Sequence, residues 1–523
     1  MDEGQGHPDR WRILAVLCAA LSIVVLDNTI LSVAVPRLGE ALRADETSLQ
    51  WITSAYGLVL AALLLPLAGL GDRFGRKGLL LVGVVVFGVS SGAAALATSS
   101  GELIVARCFQ GIGGAATMPA TLAVLGNVFA PHERGRAIAV WSAASSLAGG
   151  LGPIVGGALL NHFWWGSVFL VNVPFTALVF LAAVRLVPTS RDPATPPVDV
   201  TGSVIWSGAL GVILFGFIEA GQGTWGSPNV TIPVAAGLAL LVAFGAWERR
   251  TAHPLLSPAA VADRRMQAGM VAVPAVFFSI FGAQFVFTQW LQGVEGLTPL
   301  AAGLAFVPNA VTILVGSLLS TVVVARVGLG RTAASGMGLL AASLAAGAAF
   351  HGGVPPIVAV IALAGLGVGL AVPAAVELIM GSVPPEQAGQ AAGVNETIVE
   401  AGGAFGIAVM GSVLATAAGG AAAIAPEQLG GAAGAAAQAH FTEALGPPLT
   451  VAAVLLVVAS LVVLQRTWGT PADRHEPDPA EAVGVSAAGV VVAETLDTEA
   501  PRPRLPAWVV DGADRPVEVH RRS

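Results

Sequence analysis

One feature of this 523-residue chain limits its fold more than any other: long apolar blocks that recur from residue 13 to residue 465. Each block is long enough to cross a hydrocarbon core of about 30 Å as a helix of roughly 20 residues. In lipid a backbone must satisfy its own hydrogen bonds, so only helices or a closed barrel can span it. Barrel strands would alternate over about ten residues, whereas these blocks are continuous. Composition points the same way: 11% of the residues are charged and 55% are hydrophobic, with a mean hydropathy of +0.78. A soluble domain carries about 25% charged residues. Soluble enzymes, nucleic-acid binders and disordered scaffolds are thereby excluded, and an all-α polytopic membrane protein is expected.

Fourteen blocks are expected, at 13–35, 50–70, 79–98, 102–124, 136–159, 166–187, 202–220, 230–247, 267–291, 300–324, 332–350, 355–380, 390–416 and 447–465. The first is too long for a signal-peptide core and is expected to remain as the first span. With residues 1–12 on the cytoplasmic side, fifteen Lys and Arg fall on inner loops and two, Arg37 and Arg43, on outer ones. Removing one early span would reverse every later loop and destroy that asymmetry, so fourteen spans with both termini inside are expected. Trp11, Trp51, Trp164, Trp165, Trp247, Trp290 and Trp468 fall near span ends, where headgroup-level rings are expected. The segment from Ala417 to Gly446 reads as a loop or a partly re-entrant stretch. Residues 466–523 are polar and Pro-rich and read as a disordered cytoplasmic tail.

Ionisable residues inside spans are costly and default to functional candidates. They are few: Asp27 in the first span, Arg107 in the fourth, Glu377 in the twelfth, and Glu396 with Glu400 in the thirteenth. Glu396 and Glu400 are one helical turn apart on one face, and two such carboxylates cannot both ionise cheaply, so they should titrate as a pair. A solvated vestibule remains the alternative for that pair, and snorkelling to an interface the alternative for Arg107. Asp27 reads as a lone carboxylate whose neighbours Asn28 and Thr29 can share its hydrogen bonds. The two cysteines, Cys18 and Cys108, lie in apolar spans and predict no disulfide. No phosphate-binding loop and no metal-spaced His/Cys cluster occurs, so no cofactor or metal is expected.

Several segments carry a family likeness. Gly71-Asp72-Arg73-Phe74-Gly75-Arg76-Lys77, between spans two and three, resembles the signature loop of the major facilitator superfamily. A weaker echo, Ala325-Arg326-Val327-Gly328 with Gly330-Arg331, falls between spans ten and eleven, where an internal repeat would place it. Leu26-Asp27-Asn28-Thr29-Ile30 through Pro36 resembles the first-span signature of the fourteen-span drug:proton antiporter branch, with Ser32 where that branch usually has Asn. Arg107, Gln110, Gly111 and Gly113 resemble the family's buried-arginine motif. Gly152, Pro153, Gly156 and Gly157 resemble its antiporter motif, with Ala148 in place of the leading glycine. Span thirteen, Gly393 through Gly406, is also similar to this branch, although the preceding loop, Pro384 to Gly389, lacks the usual basic residue.

The resemblance implies a major facilitator fold. Its expected parts are a six-helix half at 13–187, two inserted central helices at 202–247 and a second six-helix half at 267–465. It further implies proton-driven efflux of small amphipathic or cationic drugs across the cytoplasmic membrane. Asp27, Arg107, Glu377, Glu396 and Glu400 are the expected coupling residues, and Gly71, Asp72, Arg73, Gly75 and Arg76 the gating loop. The expected partners are small-molecule substrates and the bilayer, with no nucleic acid and no obligatory protein partner. Dedicated export of an endogenous metabolite or antibiotic remains an alternative, and proton-coupled nutrient import a weaker one.

Overall fold

The computed structural model describes residues 7–190, 199–220, 225–251, 258–349, 353–383, 388–418 and 431–469. Among them there is no strand. The helices are α1 (Arg10–Leu42), α2 (Glu46–Phe74), α3 (Arg76–Ala95), α4 (Ser100–Val128), α5 (Pro131–His162), α6 (Ser167–Leu170), α7 (Asn172–Leu186), α8 (Val200–Glu219) and α9 (Pro228–Glu248). They continue as α10 (Pro258–Ala262), α11 (Arg264–Gly293), α12 (Pro299–Ala305), α13 (Val307–Val327), α14 (Leu329–Ala348), α15 (Val354–Met380), α16 (Ala388–Ala417), α17 (Gly431–Ala444) and α18 (Gly446–Thr467).

Thirteen of the described helical stretches are long and apolar enough to cross a membrane. The fourteenth expected span is α14, a 20-residue helix whose Ala, Gly and Ser content keeps its hydropathy low. It packs along α15 and α18 like its neighbours, as small residues allow. Most helices run several residues beyond the apolar blocks because polar ends are capped. Asp45 accepts the Ser48 amide (2.9 Å), Asp199 accepts that of Gly202 (2.9 Å), and Asp263 accepts that of Arg265 (2.7 Å).

Two departures concern the end of the bundle where α1 finishes, here called distal. The stretch 417–446 contains α17, whose Gln438 donates to the Val294 carbonyl (3.1 Å) at the end of α11. Trp290, near the end of α11 as expected, is fully buried instead of presenting its ring to the surroundings, because Thr442 of α17 covers it and accepts its indole N–H (3.0 Å). The expected tail beyond residue 469 lies outside the described residues.

The expected internal echo is visible in the backbone. α2 and α3 are joined by the single residue Gly75 (φ 127°, ψ 119°), and α13 and α14 by the single residue Gly328 (φ 87°, ψ 167°). Both positions have positive φ, which a side chain makes costly.

α1–α7 pack chiefly among themselves, as do α11–α18. α2 against α16, and α5 against α12, join the two groups. Among the described residues, hydrogen bonds cross between them towards the distal end: Gln284 to Ser32 Oγ (3.1 Å), Gln292 to the Val33 carbonyl (2.9 Å), Ser412 to Gln50 Oε1 (3.1 Å), and Ser54 to the Ala404 carbonyl (3.4 Å).

The inserted pair is central in sequence but sits on the flank of this seam. α9 packs on α8, and α8 touches both α2 and α16. Ser207 donates to the Ala62 carbonyl (3.0 Å), Ser412 donates to the Phe217 carbonyl (2.6 Å), and the Phe217 and Phe405 rings meet edge-on at 6.2 Å.

An alanine at either one-residue link should cost about 1–3 kcal/mol, the scale of a side chain forced into a glycine-only conformation. Gly75→Ala and Gly328→Ala should each melt below the parent in detergent, whereas Gly78→Ala, where a Cβ meets open space, should not. Equal melting of all three variants would contradict this.

Candidate coupling site in the bundle core

The site is built around the first half of α4. Gly111 and Gly113 let that helix lie directly against its neighbours: a Cβ on Gly111 would stand 2.7 Å from the Tyr56 carbonyl of α2, and one on Gly113 2.7 Å from the Phe87 amide of α3. The close approach brings Arg107 and Gln110, three residues apart on one face, onto Asp27 of α1.

The Arg107 guanidinium pairs with Asp27 through Nη1 and Oδ2. It also donates to Gln110 Oε1 (3.0 Å) and, through Nε, to the Ile52 carbonyl (3.2 Å). The Tyr56 ring lies 4.4 Å from the guanidinium carbon, in cation–π contact. The other carboxylate oxygen of Asp27 accepts from Gln110 Nε2 (3.2 Å) and from Asn172 Nδ2 (2.6 Å) of α7. Ser91 of α3 accepts from Gln110 (2.8 Å). Asp27 is 2% exposed, and Arg107 and Gln110 are completely buried.

One expectation is therefore corrected, and one alternative is set aside. Asp27 is not a lone carboxylate: its donors come from α4 and α7, and Thr29 donates instead to the Val25 carbonyl of its own helix (3.1 Å). Arg107 does not snorkel to an interface, because Asp27 and Tyr56 hold it in the interior. Asn172, Ser91 and Tyr56 are the side chains of the network that sequence reading missed, and Asn172 is the one of them that bonds Asp27 directly. Its only local signal is a polar residue inside an apolar span, two residues before Pro174.

Glu400 stands across the seam on α16. A Cβ on Gly57 of α2 would lie 3.4 Å from its carboxylate, and the carboxylate is within electrostatic range of Arg107 and Glu396. Both glutamates are half-buried. Glu377 is not brought to this group: it is exposed near the C-terminal end of α15. Distal to the charges, Asn28, Ser32, Thr53, Phe281, Gln284 and Ile407 enclose about 20 Å³, room for about one water.

The major facilitator superfamily model matches residues 17–407 and 275–510 of this sequence. The chain belongs to the major facilitator superfamily. It is 34% identical over 488 residues to the multidrug efflux pump LfrA of Mycolicibacterium smegmatis, covering 87% of this chain and 95% of that protein. It is 33% identical over 417 residues to the tetracenomycin C resistance and export protein of Streptomyces glaucescens, covering 79% and 77%. In fold it is similar to the inward-facing, occupied crystal structure of a bacterial homologue of the human lysosomal transporter Spinster. That match has a TM-score of 0.65 and 18% identity and covers 90% of this chain and 99% of the other. The chain is a membrane transporter, not an enzyme.

The superfamily motifs occupy definite places. In the signature loop, Arg76 donates to the Ala123 carbonyl of α4 (3.3 Å) and Lys77 to the Val184 carbonyl in the last turn of α7 (2.8 Å). These cations sit where helix C-terminal carbonyls concentrate negative charge. Gly71 is buried against Leu79, Arg73 is exposed, and the Asp72 side chain lies outside the described residues. Residues 384–387, within the loop expected to lack its basic residue, also lie outside them.

The antiporter-motif glycines press α5 between two helices. Cβ atoms on Gly152 and Gly156 would strike Thr29 and Ile30 of α1, and one on Gly157 would lie 2.6 Å from Leu300 Cα of α12. Pro153 presents its carbonyl to Gly303 on the same side.

Breaking a buried ion pair by removing one partner costs about 3–5 kcal/mol, because the other charge is stranded. Asp27→Asn should therefore lower the melting temperature and yield of the solubilised transporter. The double variant Asp27→Asn, Arg107→Gln should recover most of the loss. A double variant no more stable than Asp27→Asn would contradict the pair's energetics.

Proposed function

We propose that this transporter exports small amphipathic or cationic drugs in exchange for protons, by alternating access across the cytoplasmic membrane. The observation that carries the reading is the buried Asp27–Arg107 pair, with the half-buried Glu400 across the α2–α16 seam within electrostatic range of Arg107 and of Glu396 one turn away. An ionisable pair held in a bundle interior is the usual mark of a proton or substrate pathway.

The loop-charge asymmetry supports a cytoplasmic N-terminus, which makes the distal end the outer face. The seam contacts then describe a conformer closed to the outside. In the proposed cycle, a substrate cation arriving from the cytoplasm is stabilised by the α16 carboxylates, and a proton leaves Asp27, which pairs with Arg107. After the outer end opens, a proton returns to Asp27, the pair breaks, and the substrate is released. The glycine face of α5, against α1 and α12, allows the sliding this requires.

A second reading is dedicated export of a metabolite or antibiotic made by the same cell. It is favoured by the similarity to a protein described as a tetracenomycin C resistance and export protein. The two readings share the cycle and differ in substrate range.

Inside-out vesicles containing the transporter, acidified in the lumen, should accumulate ethidium and lose it on addition of a protonophore. Accumulation that ignores the protonophore but requires ATP would contradict the proposal. Sensitivity of a deletion strain to several unrelated biocides would support multidrug efflux, and retention of one metabolite would support dedicated export.

A further inference from the structure

The coupling site holds a buried amide that no motif reading claims. Asn172 is 1% exposed and begins α7, directly after the break from α6 at Val171. The boundary has a local cause: Pro174 has no N–H to give to the Leu170 carbonyl, so that bond is missing although Val171 keeps helical angles (φ −57°, ψ −30°). It leaves Asn172 aimed into the bundle, with Nδ2 at 2.6 Å from Asp27 Oδ1 and 3.5 Å from Ser91 Oγ.

The division of donors on Asp27 is the informative point. Oδ1 accepts from two neutral amides, Asn172 and Gln110, and Oδ2 accepts from Arg107. A side-chain NH₂ group donates whatever the protonation state of its partner. With both amides in place, Oδ1 has no room for a proton, which must land on Oδ2, the oxygen that Arg107 holds.

We infer that Asn172 is a positioning residue: by saturating Asp27 Oδ1 it directs the incoming proton to Oδ2, so that protonation and release of Arg107 become one event. This rests on the proposal that Asp27 exchanges the coupling proton. When a proton adds to the remaining lone pair of Oδ2, that oxygen loses its negative charge and the charge-assisted bond from Arg107 Nη1 weakens to an ion–neutral one, so the still cationic guanidinium is free to leave. Without Asn172 a proton can reside on Oδ1 while Arg107 stays paired, and the gradient is no longer converted into movement.

Groups that bear on Asp27 come from several of the helices around it. α4 supplies Arg107, among the described residues the one charged group hydrogen-bonded to it, and Gln110. α3 supplies Ser91 through Gln110, and α7 supplies Asn172. α2 supplies Tyr56, stacked on Arg107, and α16 supplies Glu400, within electrostatic range of both.

The test uses the full-length transporter with Asn172→Leu, which keeps volume without a donor, Asn172→Ala, and, as control, Ser90→Ala, whose hydroxyl donates to the Val86 carbonyl of its own helix (2.7 Å). Proton-driven ethidium accumulation in inside-out vesicles should fall about tenfold in both Asn172 variants, the scale of a lost hydrogen bond to a charged group. Ethidium exchange without a gradient, and its half-saturating concentration, should stay near the parent. Labelling of Asp27 by dicyclohexylcarbodiimide, which attacks protonated carboxyls, should rise several-fold at neutral pH in the Asn172 variants and not in Ser90→Ala.

Parental accumulation together with parental labelling in the Asn172 variants would overturn the inference alone. Equal loss of exchange and accumulation, or loss of folded protein in both variants, would make Asn172 structural and also overturn it. A parent protein indifferent to the proton gradient would overturn the coupling reading itself, a result distinguishable from the others because it appears before any substitution.

Discussion

The interaction on which the rest of the structure depends is the ion pair between Asp27 and Arg107. A guanidinium with no solvent exposure survives only if its charge is met; the Arg107 Nη1 and Nε donors are bonded, while Nη2 finds no hydrogen-bond partner among the described residues. Here that requirement recruits five helices: α1 brings the carboxylate, α4 the arginine and Gln110, α3 Ser91, α7 Asn172, and α2 the Ile52 carbonyl and the Tyr56 ring. The glycines of α4 are needed because bulkier residues would hold the helices too far apart for these bonds. The fold of the first helical group and the chemistry of its core are thus one arrangement.

The second constraint is the seam. The groups that cross it are neutral amides and hydroxyls near the distal end, and those bonds are modest individually, about 0.5–1.5 kcal/mol each. Such contacts can be broken and remade in a cycle, as a buried charge pair across the seam could not. α8 lies over both sides of the same seam, hydrogen-bonded to Ala62 on one helix and Ser412 on the other. The inserted pair is therefore mechanically connected to the two helices whose separation alternating access requires, although its partner α9 contributes little to the core.

Much of this was legible in the sequence. Hydropathy alone gives the helices, because lipid leaves the backbone no other way to satisfy itself. The one-residue links at Gly75 and Gly328 were foreshadowed by the motif and its weak echo, since glycine marks positions where positive φ is required. Arg107 and Asp27 stood out as charges in apolar blocks. Their pairing did not, because 80 residues separate them and spacing carries no information across helices. Asn172 was hidden for the same reason: an uncharged residue in an apolar block costs too little to attract notice. Glu377 looked like a site residue because a span-end carboxylate and a chamber carboxylate read alike in sequence. Trp290 misled similarly, since nothing nearby in sequence predicts that α17 folds back over it.

The central claim is that Asp27 gives up its proton when a substrate cation enters the chamber. It is tested most directly by adding tetraphenylphosphonium to the purified, detergent-solubilised transporter in weakly buffered solution and following proton release with a pH-sensitive dye. The account predicts proton release that saturates with substrate binding in the parent and disappears in Asp27→Asn, provided that variant still binds the cation. Binding without proton release in the parent, or undiminished release in Asp27→Asn, would contradict it.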